Sequence, residues 1–175
     1  TDGTFGPSRS MTRSEAAAIF ARLLAEKNGD TISTAANTKF TDIPAHAWYS
    51  GYVKYLSNNG ITYGKSKTIF APNDAITRAE FTTMAVRFFD VYGDGDAEIM
   101  EQFSGFNDVS SGYWAAEYIK YAALHGWING YGDGSFHADR EINRAEVVTI
   151  VNRLLGREAD EDYIADNLRK LNTFP

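Results

Sequence analysis

The sequence predicts a mainly α fold built from tandem helix-loop-helix repeats joined by short β or turn connections. Three observations carry this. A set of residue types recurs in fixed register along the chain, a helix start of the form [Thr/Asn]-Arg-x-Glu appears three times, and apolar residues follow each start at helical spacing.

The register is set by residues whose recurrence needs no alignment. Phe40-Thr41-Asp42-Ile43 returns as Phe106-Asn107-Asp108-Val109, Trp48 as Trp114, Gly60 as Gly126, Gly64 as Gly130, Phe70 as Phe136, and Arg78-Ala79-Glu80 as Arg144-Ala145-Glu146, each pair 66 residues apart. Phe5 and Arg13 keep the spacing of Phe70 to Arg78, so residues 1–27 read as the second half of a further unit. The organisation is then a half unit at 1–27, a linker at 28–39, a unit at 40–90, an acidic linker at 91–105, a unit at 106–156 and a tail at 157–175. Tyr163, Ile164, Leu168 and Leu171 make that tail a helix. Thr173-Phe174-Pro175 reads either as the opening of another Phe-x-Asp motif or as a chance Phe-Pro end. The opening Thr1-Asp2-Gly3-Thr4-Phe5 looks like the middle of a motif, as in an excised fragment.

Within a unit, the first helix is expected to begin near Trp48 or Trp114. Trp48, Tyr52, Tyr55 and Leu56 form one apolar face, as do Ala115, Tyr118, Ile119 and Ala122. Gly60 and Gly126 stop these helices. A turn-rich segment with Gly64, Gly130, Gly132 and Gly134 follows, with room for one or two short strands. The second helix opens on a capping box at Thr12/Glu15 and Thr77/Glu80, and on Asn143/Glu146 in the last copy. Its apolar stripe is Ile19, Phe20, Leu23 and Leu24 in the first copy, Phe81, Met84, Ala85, Phe88 and Phe89 in the second, and Val147, Val148, Ile150, Val151, Leu154 and Leu155 in the third.

Composition narrows the function. The 175 residues are 43% hydrophobic and 14% aromatic, enough for a packed core, and the net charge of -6 excludes the basic footprint of a sequence-independent nucleic-acid binder. No stretch has the roughly 20 apolar residues of a membrane span, so no membrane insertion is expected. No Cys is present, which excludes disulfides, thiolate metal sites and a Cys nucleophile. His46, His125 and His137 lack metal-ligand spacing. Asp94-Gly95-Asp96-x-Glu98 resembles a calcium loop but lacks the full EF-hand pattern, so it reads as solvated linker. No cofactor fingerprint, paired-carboxylate pocket or Ser/His/Asp constellation is visible, and the chain is expected not to be an enzyme.

The Phe-x-Asp-[Ile/Val] motif, the Trp eight residues after its Phe, the Gly130-Tyr131-Gly132-Asp133-Gly134-Ser135-Phe136 loop and the [Thr/Asn]-Arg-Ala-Glu helix start together resemble the S-layer homology (SLH) family over about 140 residues. The resemblance implies a pseudo-threefold helical bundle with three prongs. It also implies an extracellular bacterial cell-wall location and grooves between prongs that bind a cell-wall polysaccharide, in many bacteria a pyruvylated one. It names the motif arginine as the main glycan contact, here Arg13, Arg78 and Arg144. The second copy departs from the pattern, with Lys67-Thr68 where the others have Asp133-Gly134 and Asp2-Gly3, which leaves its loop geometry open.

The chemistry of those residues supports the implication in part. Each arginine sits at the first position of a helix, where the macrodipole disfavours a cation by about 0.3–1 kcal/mol. Free amides at a helix start attract anions, and a guanidinium adds two-pronged recognition of a carboxylate. The same arginines could instead tie repeats together by pairing with Asp42 and Asp108. Trp48 and Trp114 are candidates either for sugar stacking or for packing. Asp42 and Asp108 are turn caps or ligand contacts, and Gly132 and Asp133 form a turn that could also meet a ligand. Composite sites are expected, Arg13 with Asp42 and Trp48, and Arg78 with Asp108 and Trp114, leaving Arg144 to residues past 175 or to a neighbouring chain. Self-association completing the array, or an assembly role without a glycan, is the other expectation.

Overall fold

A computed structural model describes residues 5–92 and 103–157. The Asp2-Gly3 turn, the Asp94–Glu98 stretch, the helix expected around Tyr163 to Leu171 and the Phe174 motif lie outside those residues. In chain order the helices are α1 (Arg13–Asn28), α2 (Ser50–Asn58), α3 (Arg78–Tyr92), α4 (Ala116–Leu124) and α5 (Arg144–Leu154). The fold is mainly α. The described connecting segments hold no strand, only isolated bridges at Ser10–Asn143, Thr12–Ala75 and Thr77–Glu141.

The helix starts are completely accounted for in hydrogen bonds. An α-helix leaves its first four amides without an intrahelical partner. In α1, the Thr12 amide donates to Glu15 Oε2 at 2.8 Å and the Glu15 amide to Thr12 Oγ1 at 3.2 Å. The Arg13 and Ser14 amides donate to the carbonyls of Asp74 and Pro72, both at 3.0 Å, in the next repeat. In α3 the Arg78 and Ala79 amides reach Arg140 and Ala138, and in α5 the Arg144 and Ala145 amides reach Arg9 and Pro7. Asn143 keeps the capping box that Thr supplies elsewhere.

Those bridges close a ring. Ile76 donates its amide to Met11, Ile142 donates to Ile76, and Met11 donates to Ile142, at 2.9 to 3.1 Å. Three repeats thus meet around one axis within a single chain, the first of them only its second half. Beneath the ring, α1 and α5 each contact α3 or share a groove with each other, and α2 and α4 lean on α1 and α3, the helices that precede them across the linkers. Phe20 stacks obliquely between Phe81 and Phe88, with centroids 5.2 and 5.0 Å away, and all three rings are fully buried.

The apolar stripes hold, with two corrections. Trp48 does not share the buried face of α2. The helix starts two residues later, Val53 and Leu56 fill that face, and the indole is 55% exposed. Val148 likewise faces outward at 43% exposure, because α5 is open on that side.

Two glycines couple the loop to the Phe-x-Asp motif. A Cβ on Gly130 would lie 2.5 Å from the Phe106 ring and 2.7 Å from the Ser135 carbonyl. On Gly64 it would lie 2.4 Å from the Phe40 ring, at a φ of +83°. The second repeat closes its loop without an Asp-Gly pair: Lys65 donates to the Ile69 carbonyl as Tyr131 does to Ser135, and Ser66 Oγ accepts from Thr68 and Ile69. Gly130→Ala is expected to cost about 1–3 kcal/mol through overpacking, and Gly64→Ala roughly 1 kcal/mol more for left-handed strain. Chemical denaturation of both variants checks the order, and equal or negligible losses would refute the coupling.

Candidate functional site in the grooves between repeats

The neighbour's carbonyls lie across each helix start, so the arginine at its first position projects into the next repeat's loop. Arg13 is buried. Its Nε donates to the Phe70 carbonyl at 2.8 Å, its Nη1 pairs with Glu80 at 3.0 Å, and its guanidinium lies 5.0 Å from the Phe70 ring centre. Arg78 repeats this with the Phe136 carbonyl at 2.9 Å, Glu146 at 2.9 Å and the Phe136 ring at 4.5 Å, and adds the Asn129 carbonyl at 3.3 Å. The amides of the helix starts are not free: all four orphan amides of each have partners inside the fold.

The arginines do tie repeats together, but to glutamate rather than to Asp42 or Asp108. The motif glutamate uses both oxygens. Glu80 and Glu146 cap their own helix through Oε2 and accept the previous repeat's arginine on Oε1. Asp42 and Asp108 brace the loop of their own repeat, taking the amides of Phe70 and Ala71, and of Phe136 and His137 at 2.7 Å. Arg13 and Asp42 thus meet on one residue, Phe70, the first on its carbonyl and the second on its amide. Burial pushes the Asp108 carboxyl up, but the two amides outweigh it and its pKa lies below the ordinary 3.8.

Arg144 differs. Its guanidinium lies 4.8 Å from the Phe5 ring, and its Nε is buried without a hydrogen-bond partner. The glutamate its counterparts would predict, Glu15, is paired with Arg9 at 2.5 Å. Arg144 needs no residue past 175 for a partner groove. It lines one of about 260 Å³ with Phe5, Glu15, Ile19, Arg22 and Trp48. The expected pairing of Arg13 with Trp48 is thereby corrected: ring closure sets the groove that Trp48 lines against the last helix. Arg78 lines a similar groove of about 300 Å³ with the 127–131 loop, Glu146 and Arg153. Trp114 is 55% exposed beside Tyr113.

The loop candidates are turn residues first. Asp133 Oδ1 accepts from the amide and hydroxyl of Ser135, its carbonyl accepts from Asn107, and Gly132 is exposed. Ser135, His137 and Asp108 come together unforeseen, with Ser135 Oγ 3.0 Å from His137 Nε2 and His137 Nδ1 3.8 Å from Asp108. The buried Ser135 hydroxyl is 2.5 Å from Asp133, and Asp108 already holds two amides, so this cluster locks the turn.

Sequence reasoning missed Arg9 and Arg140. Arg140 joins Arg78 and Tyr131 on Glu146, and Arg9 holds Glu15. The signal was present: each stands four residues before a motif arginine, where the second repeat has Asp74, paired instead with Lys65 at 3.0 Å. Burial raises Glu15 and Glu146, but their hydrogen bonds and cations outweigh it, and both titrate below the ordinary 4.5.

A sequence model of the S-layer homology domain matches residues 1–17, 39–82 and 105–148. The chain is 35% identical over 164 residues to a cell surface glycoprotein 1 of Acetivibrio thermocellus, covering 89% of this chain and 7% of that protein. It is 34% identical to the same organism's cellulosome-anchoring protein (89% of this chain, 34% of that protein) and 32% identical to the surface-layer 125 kDa protein of Lysinibacillus sphaericus (88% and 12%). The chain thus spans about a third or less of the length of these relatives.

Two outcomes follow from the geometry. Arg78→Ala leaves a buried link without its cation and is expected to destabilise by about 3–5 kcal/mol, which thermal unfolding reads directly; a loss below about 1 kcal/mol would reduce the contact to a surface pair. Because Glu15, Asp108 and Glu146 have depressed pKa values in the folded state, their stabilisation is present above their unfolded values and disappears as pH falls through the folded ones. Burial lowers the His125 pKa below the ordinary 6.5, so its contribution starts to be lost as pH falls below about 6.5. Stability is expected to decline modestly from there and more steeply below about 4.5, where the carboxylates protonate, measured by urea unfolding across that range. A flat profile down to about pH 4 would refute the carboxylate contribution.

Proposed function

The chain belongs to the S-layer homology domain family, and from that premise we propose that it is a non-catalytic anchoring module of the bacterial cell surface. It attaches a larger exported protein to the wall by binding an acidic cell-wall polysaccharide, with a pyruvylated sugar as the fitting chemistry. The relatives carry names of surface-layer, cell-surface and anchoring proteins, and the module is a fraction of each. No described helix is long and apolar enough to cross a membrane.

The observation that carries the reading is the charge of the grooves. The protein as a whole bears a net charge of -6, yet Arg78 and Arg153 line one groove with Glu146, and Arg144 and Arg22 line another with Glu15. Arg140 and Arg9, outside the two linings, pair with those same glutamates. Clefts with an excess of one sign and apolar walls concentrate oppositely charged ligands. An exposed indole beside guanidinium groups offers the CH face of a sugar ring a platform and its carboxylate a partner.

Co-sedimentation with protein-free walls of the source bacterium tests this. The chain is expected to pellet with intact walls, to remain in solution with walls stripped of non-peptidoglycan polysaccharide by hydrofluoric acid, and to release progressively as salt rises. Failure to pellet with intact walls would sink the anchor reading. Self-association without any wall would then favour the assembly role.

A further inference from the structure

The helix pairs of the fold leave one helix unmatched. α2 lies on α1 and α4 on α3, but among the described residues no helix lies on α5 in that way. The consequence shows at four equivalent positions on one side of each second helix. Ser14, Ala17, Ala18 and Ala21 of α1 are buried, and so are Ala79, Thr82, Thr83 and Val86 of α3. Their counterparts on α5 are open: Ala145, Val148 and Thr149 are exposed and Asn152 is half-buried. The spacing i, i+3, i+4 and i+7 makes these four one continuous stripe.

An arginine at the edge of the stripe repeats the difference. Nine residues after the motif arginines stand Arg22, Arg87 and Arg153. Arg22 donates from Nε and Nη2 to the Tyr52 hydroxyl at 3.2 and 3.1 Å, and Arg87 donates to the Tyr118 hydroxyl at 3.3 and 3.0 Å. Each guanidinium also lies over the ring of that tyrosine. Val53 and Ile119, the residues after those tyrosines, are fully buried. Arg153 is exposed, and among the described residues its side chain has neither a hydrogen bond nor an ion pair. What α5 lacks is therefore a short helix that carries a tyrosine followed by a β-branched apolar residue.

The chain after α5 carries that pair. Tyr163-Ile164 matches Tyr52-Val53 and Tyr118-Ile119, and Ile164, Leu168 and Leu171 fall at i, i+4 and i+7. α5 ends near Gly156, whose φ of +60° is the left-handed conformation at which a helix gives way to a reversal. Tyr163 to Leu171 spans as many residues as Arg153 back to Ala145, about 12 Å of helix in each case. Glu158, Asp160, Glu161 and Asp162 stand between that glycine and Tyr163, beside the end of α5 where Arg153 and Arg157 are exposed. We propose that the stripe of Ala145, Val148, Thr149 and Asn152 is a docking surface for the chain's own tail, residues 158–175. The tail folds back antiparallel on α5, brings the Tyr163 hydroxyl to Arg153 and lays Ile164, Leu168 and Leu171 against the stripe.

The chain has no cysteine, so cysteine pairs placed in the full chain report the docking without interference. Docking brings positions 149 and 168 within bridging distance, so T149C with L168C is expected to close an intramolecular disulfide on mild oxidation about tenfold or more faster than K67C with L168C. Lys67 is the control because it is exposed on the loop of another repeat. Thermal unfolding of the full chain carrying I164D and L168D is the second measurement, with melting expected about 4 °C or more below wild type. Equal rates of closure for the two pairs overturn the proposal, and so does a melting temperature of the aspartate variant within about 1 °C of wild type. Disulfides that form between chains rather than within one assign the stripe to a second copy and overturn it as well.

Discussion

The backbone ring of Met11, Ile76 and Ile142 is the constraint on which everything else hangs. A capping box satisfies two of the four orphan amides at a helix start, and here the other two are given to carbonyls of the next repeat. A repeat standing alone would leave those amides without protein partners and the Ile76 or Ile142 side chain, fully buried in the ring, exposed to water. An unmade hydrogen bond at a buried amide costs about 1–3 kcal/mol. The unit of folding is accordingly the closed ring rather than the helix pair, in contrast to open repeat arrays, where each unit meets only its neighbours along a line.

Ring closure also explains why arginine stands where the helix dipole disfavours it. With the neighbour's segment laid across the helix start, a side chain at the first position has nowhere to go but into that neighbour's loop. There it meets a carbonyl, a phenylalanine face and a carboxylate at once. A guanidinium can donate from Nε to the carbonyl, pair through Nη1 with the carboxylate and lie flat on the ring, which an ammonium cannot do. The glutamate is fixed for the same reason: one oxygen caps its own helix while the other receives the incoming cation. Arginine and glutamate in this motif are two halves of a joint between different repeats.

The local layer of this structure was legible in the sequence. Capping boxes, glycine stops and apolar stripes all state short-range requirements, and Thr12, Thr77 and Asn143 begin helices as their chemistry demands. The pairing of Gly64 with Phe40 and Gly130 with Phe106 was visible as co-recurrence, though its steric cause was not. What the sequence did not show was which repeat each side chain would meet. Spacing along the chain suggested Asp42 as a partner for Arg13, but Asp42 is consumed by its own loop and Glu80 is delivered by the ring. Periodicity is blind to closure, so it could not set the groove of Trp48 against a helix nearly a hundred residues away. It also averages over the copies, which hid the exchange of Arg9 and Arg140 for Asp74.

That last exchange shows how one repeated motif can serve two ends. A guanidinium with a buried carboxylate and a carbonyl has little to gain from a ligand, because each new contact displaces an old one of similar strength. A guanidinium whose glutamate has been drawn away by a second arginine keeps its full capacity for a carboxylate. In the Arg78 groove, Arg140 shares Glu146 without removing it. Beside Arg144, Arg9 holds the equivalent oxygen alone. Whether a motif arginine ties two repeats through glutamate is therefore set by a residue four positions upstream of the motif and by the oxygen it occupies. Sequence symmetry among the repeats preserves the ring, and departures from it leave the motif arginines in different states of pairing.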